Sequence, residues 1–221
     1  MSPGHDRMIV FVDFDGTITD VDTFDALVRD AVGDEIWDAI DAELMDGRRT
    51  VREVLVLQAA HVTKSRAEAL AFVEARAKVD PAFPPFVRAA HARGVEVRVV
   101  SSGVGSIIRA TLAAAGVELP ILANDVDFAP HGWSFAFVDE SANGHDKAVA
   151  VRRARAAGFA TVFVGDGISD FGAAHEAERC FAKAGRALEA YCAARNIACT
   201  AFASFAEIEA ALFPGVLDVE Q

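Results

Sequence analysis

At 221 residues, 52% of them apolar, the chain fits one large domain, or a core domain carrying a smaller insertion, with enough apolar surface for a sizeable core. A formal net charge of −12 argues against a nucleic-acid or anionic-membrane surface, since both demand clustered Lys and Arg. Work on a phosphorylated compound would then need a local source of positive charge, such as a metal ion.

The N-terminal MSPGHDR is short and polar and carries no signal-peptide pattern, and no apolar run approaches bilayer-spanning length, so the expected location is cytoplasmic. Met8–Val12 is a continuous apolar run that suits a strand covered on both faces. From Val21 to Val79 the period changes. Phe24, Leu27, Val28 and Val32 recur at helical spacing, followed by Ile36, Ile40 and Leu44, by Val51, Val54, Leu55 and Gln58, and by Ala67, Leu70, Ala71 and Val73. About four helices without an intervening strand predict a small helical insertion over 21–79, between core segments 1–20 and 80–221.

Beyond the prolines at 81–85 the chain alternates. Helices are predicted at 86–93, from about 106 to 115, and at 147–157, 168–177 and 186–195, with a closing helix. Strands are predicted at 95–100, near 121, and at 160–164, 180–182 and 197–202, with a hairpin of 126–128 and 133–137 joined by Pro130-His131-Gly132. Strands alternating with helices imply a doubly wound, mostly parallel, Rossmann-like α/β sheet. The cysteines Cys180, Cys192 and Cys199 are odd in number and match neither zinc-ribbon nor small disulfide-scaffold spacing, so they read as reduced, mostly buried thiols.

Ligands of such a sheet bind beyond the carboxyl ends of its strands. There the sequence puts Asp13-Phe14-Asp15-Gly16-Thr17, Ser101-Ser102-Gly103 and Gly165-Asp166-Gly167-Ile168-Ser169-Asp170, with Lys147 at a helix start. A carboxylate at 13 can attack phosphorus and form an acyl phosphate, and Asp15, on the same side of an extended segment, can carry the proton of the leaving oxygen. Asp13 and Asp166 are hard-oxygen ligands for Mg²⁺. The Ser hydroxyls and the amides ahead of the helix near Ser106 can hold phosphoryl oxygens, and Lys147, one of only four lysines, can neutralise the moving charge. Each piece alone also reads as an acidic turn, a Ser-Gly turn, a solvated lysine or a helix cap; their joint order at successive strand ends is what coincidence explains poorly.

The ordered set DFDGT (Asp13–Thr17), VVSSG (Val99–Gly103), Lys147 and GDGISD (Gly165–Asp170) resembles the four motifs of the haloacid dehalogenase-like superfamily, and the likeness spans the chain, with the helical stretch where that family carries a small cap. The resemblance implies a phosphatase in which Asp13 is nucleophile and Asp15 general acid/base. It implies Mg²⁺ held by the Asp13 side chain, the Asp15 carbonyl and Asp166, with Asp170 in support. Ser101, Ser102, Gly103 and Lys147 would hold the phosphate of a small phosphorylated metabolite, and Thr17 would orient Asp15 or the phosphate. Within the superfamily the layout is similar to the phosphoserine phosphatase-like branch, while the tail from Cys180 to Ile208 is similar to phosphatases acting on a methylthio-keto-pentenyl phosphate in methionine salvage. Gln58 stands where phosphoserine enzymes carry an arginine, and an amide cannot replace an Arg-carboxylate fork without losing the charge. Arg48, Arg49 and Arg52 lie nearby and could compensate, so phosphoserine stays the alternative substrate. Asp22, Phe24, Gln58 and the Arg48-Arg49 pair are the candidates for reading the leaving group. A phospho-acceptor signalling module shares the aspartates and lysine but needs neither Asp15 nor the helical insertion.

Overall fold

The computed structural model describes residues 7–214, so most of the polar N-terminal segment read above lies outside the described residues. Seven strands form one sheet in the order β4-β3-β2-β1-β5-β6-β7. They are β1 (Met8–Val12), β2 (Glu96–Val104), β3 (Ile121–Asp127), β4 (Ser134–Ala136), β5 (Ala160–Gly165), β6 (Arg179–Lys183) and β7 (Cys199–Phe202). All neighbours pair parallel except β3 with β4. The unbroken apolar run of β1 reflects its central position between β2 and β5, where side chains on both faces are buried.

Between β1 and β2 lie α1 (Thr23–Val32), α2 (Asp34–Met45), α3 (Val51–Ala59), α4 (Arg66–Glu74) and α5 (Phe83–His91). The first four form the helical insertion. Asp22 caps α1, and reciprocal capping boxes start α3 (Thr50 with Glu53) and α4 (Ser65 with Glu68), which is why polar stretches punctuate this region. The remaining helices are α6 (Gly105–Ala114), α7 (Lys147–Ala156), α8 (Phe171–Glu176), α9 (Ala187–Arg195) and α10 (Phe205–Leu212). No helix among the described residues is long and apolar enough to cross a membrane.

One sheet face packs on α5, α6 and α10 through Phe83, Phe86 and Phe205, each fully buried and each contributing about 2–3 kcal/mol of burial. The other packs on α7, α8 and α9 through Ile9, Phe11, Phe163 and Leu188. A third cluster joins Phe24, Leu27, Leu55 and Val73 of the insertion to Ile107 of α6 and to Val126 and Trp133 of the hairpin. The Trp133 amide donates to the carbonyls of Ala59 and Val62, and its indole donates to Lys64 O at 2.7 Å. The insertion is thus docked on the rim of the sheet. Its two connecting passages are fastened together: Thr19 and Val79 form an antiparallel bridge, and Asp20 Oδ1 accepts the Lys78 amide at 2.8 Å.

Three elements differ from expectation. The strand predicted to end at Val100 runs on to Val104, so Ser101-Ser102-Gly103 is an irregular stretch of β2 and not a turn beyond it; its pairing with β3 shifts between Ser101 and Val104. Buried Asn124 fixes that irregularity, donating to Ser102 O at 2.8 Å and accepting the Val138 amide at 3.0 Å. The separate strands expected near 121 and 126 are one strand, which pairs parallel with β2 and then antiparallel with β4. The helix expected from Ile168 opens with a 3₁₀ turn, Ile168–Asp170.

Candidate active site

The carboxyl ends of β1, β2 and β5 meet the docked insertion around a cavity of about 240 Å³. Its floor holds Asp13, Asp15, Ser101, Ser102, Gly103, Lys147 and Asp166. Lys147, at the first position of α7 and 1% exposed, donates to Asp13 Oδ1 and to Asp170 Oδ1, both at 2.6 Å. Asp170 accepts the Asp166 and Gly167 amides on its other oxygen at 2.9 and 3.0 Å, so it ties the loop after β5 to the lysine without lining the cavity. Asp15 accepts both the amide and the hydroxyl of Thr23, at 2.8 and 2.7 Å, so the start of α1 holds this carboxyl in place.

Two glycines make room for these groups. A β-carbon on Gly16, whose φ is +73°, would collide with Asp166 Oδ2, and one on Gly103 would collide with Asp15 Oδ2. Gly103→Ala is therefore expected to displace Asp15 and lower kcat/KM about 100-fold with an unchanged circular-dichroism spectrum, since a displacement of about 1 Å costs that much.

Burial, then the Asp22 charge, push the Asp15 carboxyl well above the usual carboxylate range, against the Thr23 donors. Asp13 is raised by burial and by Asp170, with Lys147 opposing. Asp166 is pushed up to about 7, first by burial and next by Asp170. Burial opposes the Lys147 charge, but Asp13 and Asp170 outweigh it and hold the ammonium above its ordinary value. Carboxylate oxygens of Asp13, Asp166 and Asp170 lie within 4.8 Å of one another. An all-oxygen set whose negative charge exceeds its one lysine fits a hard divalent cation.

Several expectations need correction. Thr17 is fully buried, does not line the cavity, and donates to Asp166 Oδ1 at 3.4 Å rather than orienting Asp15. Arg48 and Arg49 are outside the cavity because both turn back on α2: Arg48 pairs with Asp46 and Glu43, and Arg49 with Glu43. The α6 N-terminus is occupied by the chain itself, since Ser106 donates its hydroxyl and amide to Asp125 Oδ1 at 2.8 and 3.3 Å. Asp22, Phe24 and Gln58 do reach the cavity. Asp25, Asp41 and Arg186 reach it as well, and Thr23 and Asn124 support it; their polarity is ordinary for helix starts and strand ends, so only the docked insertion and the strand irregularity reveal them. His145, also buried, donates from Nδ1 to Ser101 O at 3.0 Å. Ser102 Oγ is buried without a hydrogen-bond partner, an open donor at the cavity wall.

A doubly wound sheet with paired strand-end aspartates, a buried lysine and an open hydroxyl defines a phosphoryl-transfer class of α/β enzyme. A family model described as haloacid dehalogenase-like hydrolase matches residues 10–175, and the chain belongs to that family and is a phosphoric monoester hydrolase, not a signalling module. It is 33% identical to Pdp3-interacting factor 1 of Schizosaccharomyces pombe, over 91% of this chain and 93% of that protein. It is 29% identical to the polyol phosphate phosphatase PYP1 of Saccharomyces cerevisiae, over 93% and 92% respectively. A 2-hydroxy-3-keto-5-methylthiopentenyl-1-phosphate phosphatase of Brevibacillus brevis is 28% identical over 80% of this chain and 83% of its own. A substrate-bound phosphoserine phosphatase superposes with a TM-score of 0.71 at 20% identity, covering 91% of this chain and 96% of that one, a likeness of fold.

Proposed function

We propose that the protein hydrolyses a small phosphomonoester whose leaving group carries hydroxyls and no carboxylate, with residues 21–79 as the cap that reads it. One observation carries this reading: the cavity's insertion side presents Asp22, Asp25, Asp41 and Gln58 and no Lys or Arg. The two cations of the lining, Lys147 and Arg186, come from the sheet side. Carboxyl and amide groups accept from and donate to hydroxyls, but a substrate carboxylate would find no cation there. Asp25 is raised by burial and by Asp22 and is braced by the Trp37 indole at 3.3 Å, which suits a neutral partner. The relative named as a polyol phosphate phosphatase supports the same class. A methylthio-keto-pentenyl phosphate is the second reading, favoured by the apolar strip of Phe24, Leu44, Val54 and Leu55 beside those acids. Phosphoserine loses ground on the missing cation.

In this reading Asp13 attacks phosphorus along the axis of the leaving oxygen, forming an aspartyl-phosphate while the bond to the leaving oxygen breaks. Asp15, whose burial favours its protonated form, gives that oxygen its proton and then takes one from the attacking water. Lys147 fixes Asp13 and balances charge on the phosphoryl oxygens, and Ser102 and its neighbours in β2 receive those oxygens. Asp13 and Asp166, with the Asp15 carbonyl, would hold Mg²⁺, which supplies positive charge to the phosphoryl group.

A phosphomonoester panel ranked by kcat/KM tests the proposal. Polyol phosphates or the methylthio-keto phosphate should exceed phosphoserine by about 10-fold or more, as expected where a charge lacks its partner. EDTA should abolish turnover and Mg²⁺ should restore it. Phosphoserine as the best substrate would overturn the reading of the cap. Asp15→Asn should lower kcat by about 10²–10⁴; an unchanged kcat would remove its proton-transfer role.

A further inference from the structure

The cavity leaves one chemically capable cluster unused. Cys180 on β6 and Cys199 on β7 are paired neighbours across parallel strands, and Cys192 descends on them from α9. Their three sulfurs lie within 4.8 Å of one another, with Cys199 Sγ 3.0 Å from Cys180 Sγ. Cys180 and Cys192 are buried and Cys199 is half-buried. No His, Asp or Glu joins the group within that radius among the described residues, and none of the three lines the active-site cavity.

We propose that Cys180, Cys192 and Cys199 form a three-thiolate binding site for a soft, closed-shell cation, with monovalent copper as the best match. Thiolate sulfur selects soft cations, and three donors with no fourth fall short of the four ligands of a closed structural zinc site. A cation about 2.3 Å from each sulfur would set the sulfurs about 4 Å apart, inside the present spread. The Cys180–Cys199 pair must open by about 1 Å, and β7 is an edge strand with Cys199 at its start. Burial pushes the Cys192 thiol up to about 11, and the Cys199 contact and burial push Cys180 up too, while the neighbouring thiols draw Cys199 down. Loading exchanges the S–H protons of the cluster for one cation. The loaded site would clamp α9 to β6 and β7. The start of α9 also touches the catalytic face, since the Leu188 amide donates to Asp166 O at 2.8 Å.

The test uses the full reduced chain under anaerobic conditions, titrated with copper(I) against a chromophoric copper(I) chelator. The expected result is one equivalent retained, an ultraviolet sulfur-to-copper charge-transfer band, and a raised Tm on loading. Cys192→Ser and Cys199→Ser should each weaken retention by about 100-fold or more, beyond the effect of losing an outer hydrogen-bond partner. Metal-free variants should keep the parent kcat/KM, which shows that they fold. Three outcomes would overturn the proposal: no copper held against the chelator, a band and stoichiometry that survive both serine variants, or tighter binding of zinc(II) than of copper(I).

Discussion

Asp13→Asn is expected to lower kcat by at least about 10⁴-fold while leaving the protein folded. An amide oxygen is a poor nucleophile, yet Asn matches Asp in volume and still offers an acceptor to the lysine. Lys147 also keeps Asp170 at 2.6 Å, so the buried ammonium does not lose its counter-charge. The substitution removes one of three carboxylates crowded within 4.8 Å, so without divalent cations the variant should unfold at the same temperature as the parent or higher. Steady-state kinetics and thermal unfolding on the same samples separate chemistry from folding. Rapid-quench labelling should find a phosphorylated intermediate in the parent and none in the variant. Wild-type turnover in Asp13→Asn protein would end the assignment of the nucleophile.

The parts of this site that were legible in the sequence share one cause. Asp13, Asp15 and Asp166 follow runs apolar enough to be central strands, and a central parallel strand delivers its next residues to the ligand edge whatever surrounds it. Residues whose position depends on how two elements dock were not legible. Arg48 and Arg49 fall between the cavity-lining Leu44 and Val51 in sequence, but the direction of a loop arginine is set by its nearest carboxylates, here Glu43 and Asp46. Asp25 lies on the polar flank of α1, beside its clear apolar stripe of Phe24, Leu27 and Val28, and Asp41 lies on α2, which buries no residue at all, so only docking shows that both turn toward the cavity. Ser101-Ser102-Gly103 reads as a turn by composition, yet the buried Asn124 side chain, remote in sequence, keeps it extended. Thr17 follows the motif and still belongs to Asp166, because after the positive-φ turn at Gly16 it is fully buried outside the cavity lining and donates to that carboxylate.

Lys147→Met should be the more destructive change, abolishing activity and destabilising the metal-free protein by about 3–5 kcal/mol. Methionine fills the space of the alkyl stem but leaves Asp13, 5% exposed, and Asp170, 0% exposed, without the ammonium that both now receive. For a chain of this length that loss corresponds to a fall in Tm of about 10 °C. The pH dependence fixes the cause. Asp13 is already raised by burial and by Asp170, and removing the lysine takes away its largest opposing influence. A carboxyl whose folded pKa lies above its unfolded value contributes stability at low pH that disappears as pH rises through the folded value. The deficit of the variant should therefore shrink as the solution is acidified from neutral toward pH 5, whereas a simple packing defect would be indifferent to pH. The decisive comparison is the double variant Lys147→Met with Asp13→Asn, measured in EDTA by chemical denaturation. Removing the uncompensated carboxylate should return about 1–3 kcal/mol of the loss, a coupling of the size found between contacting groups. If the double variant is no more stable than Lys147→Met alone, the lysine matters for its shape and not for its charge, and the electrostatic account of this site fails.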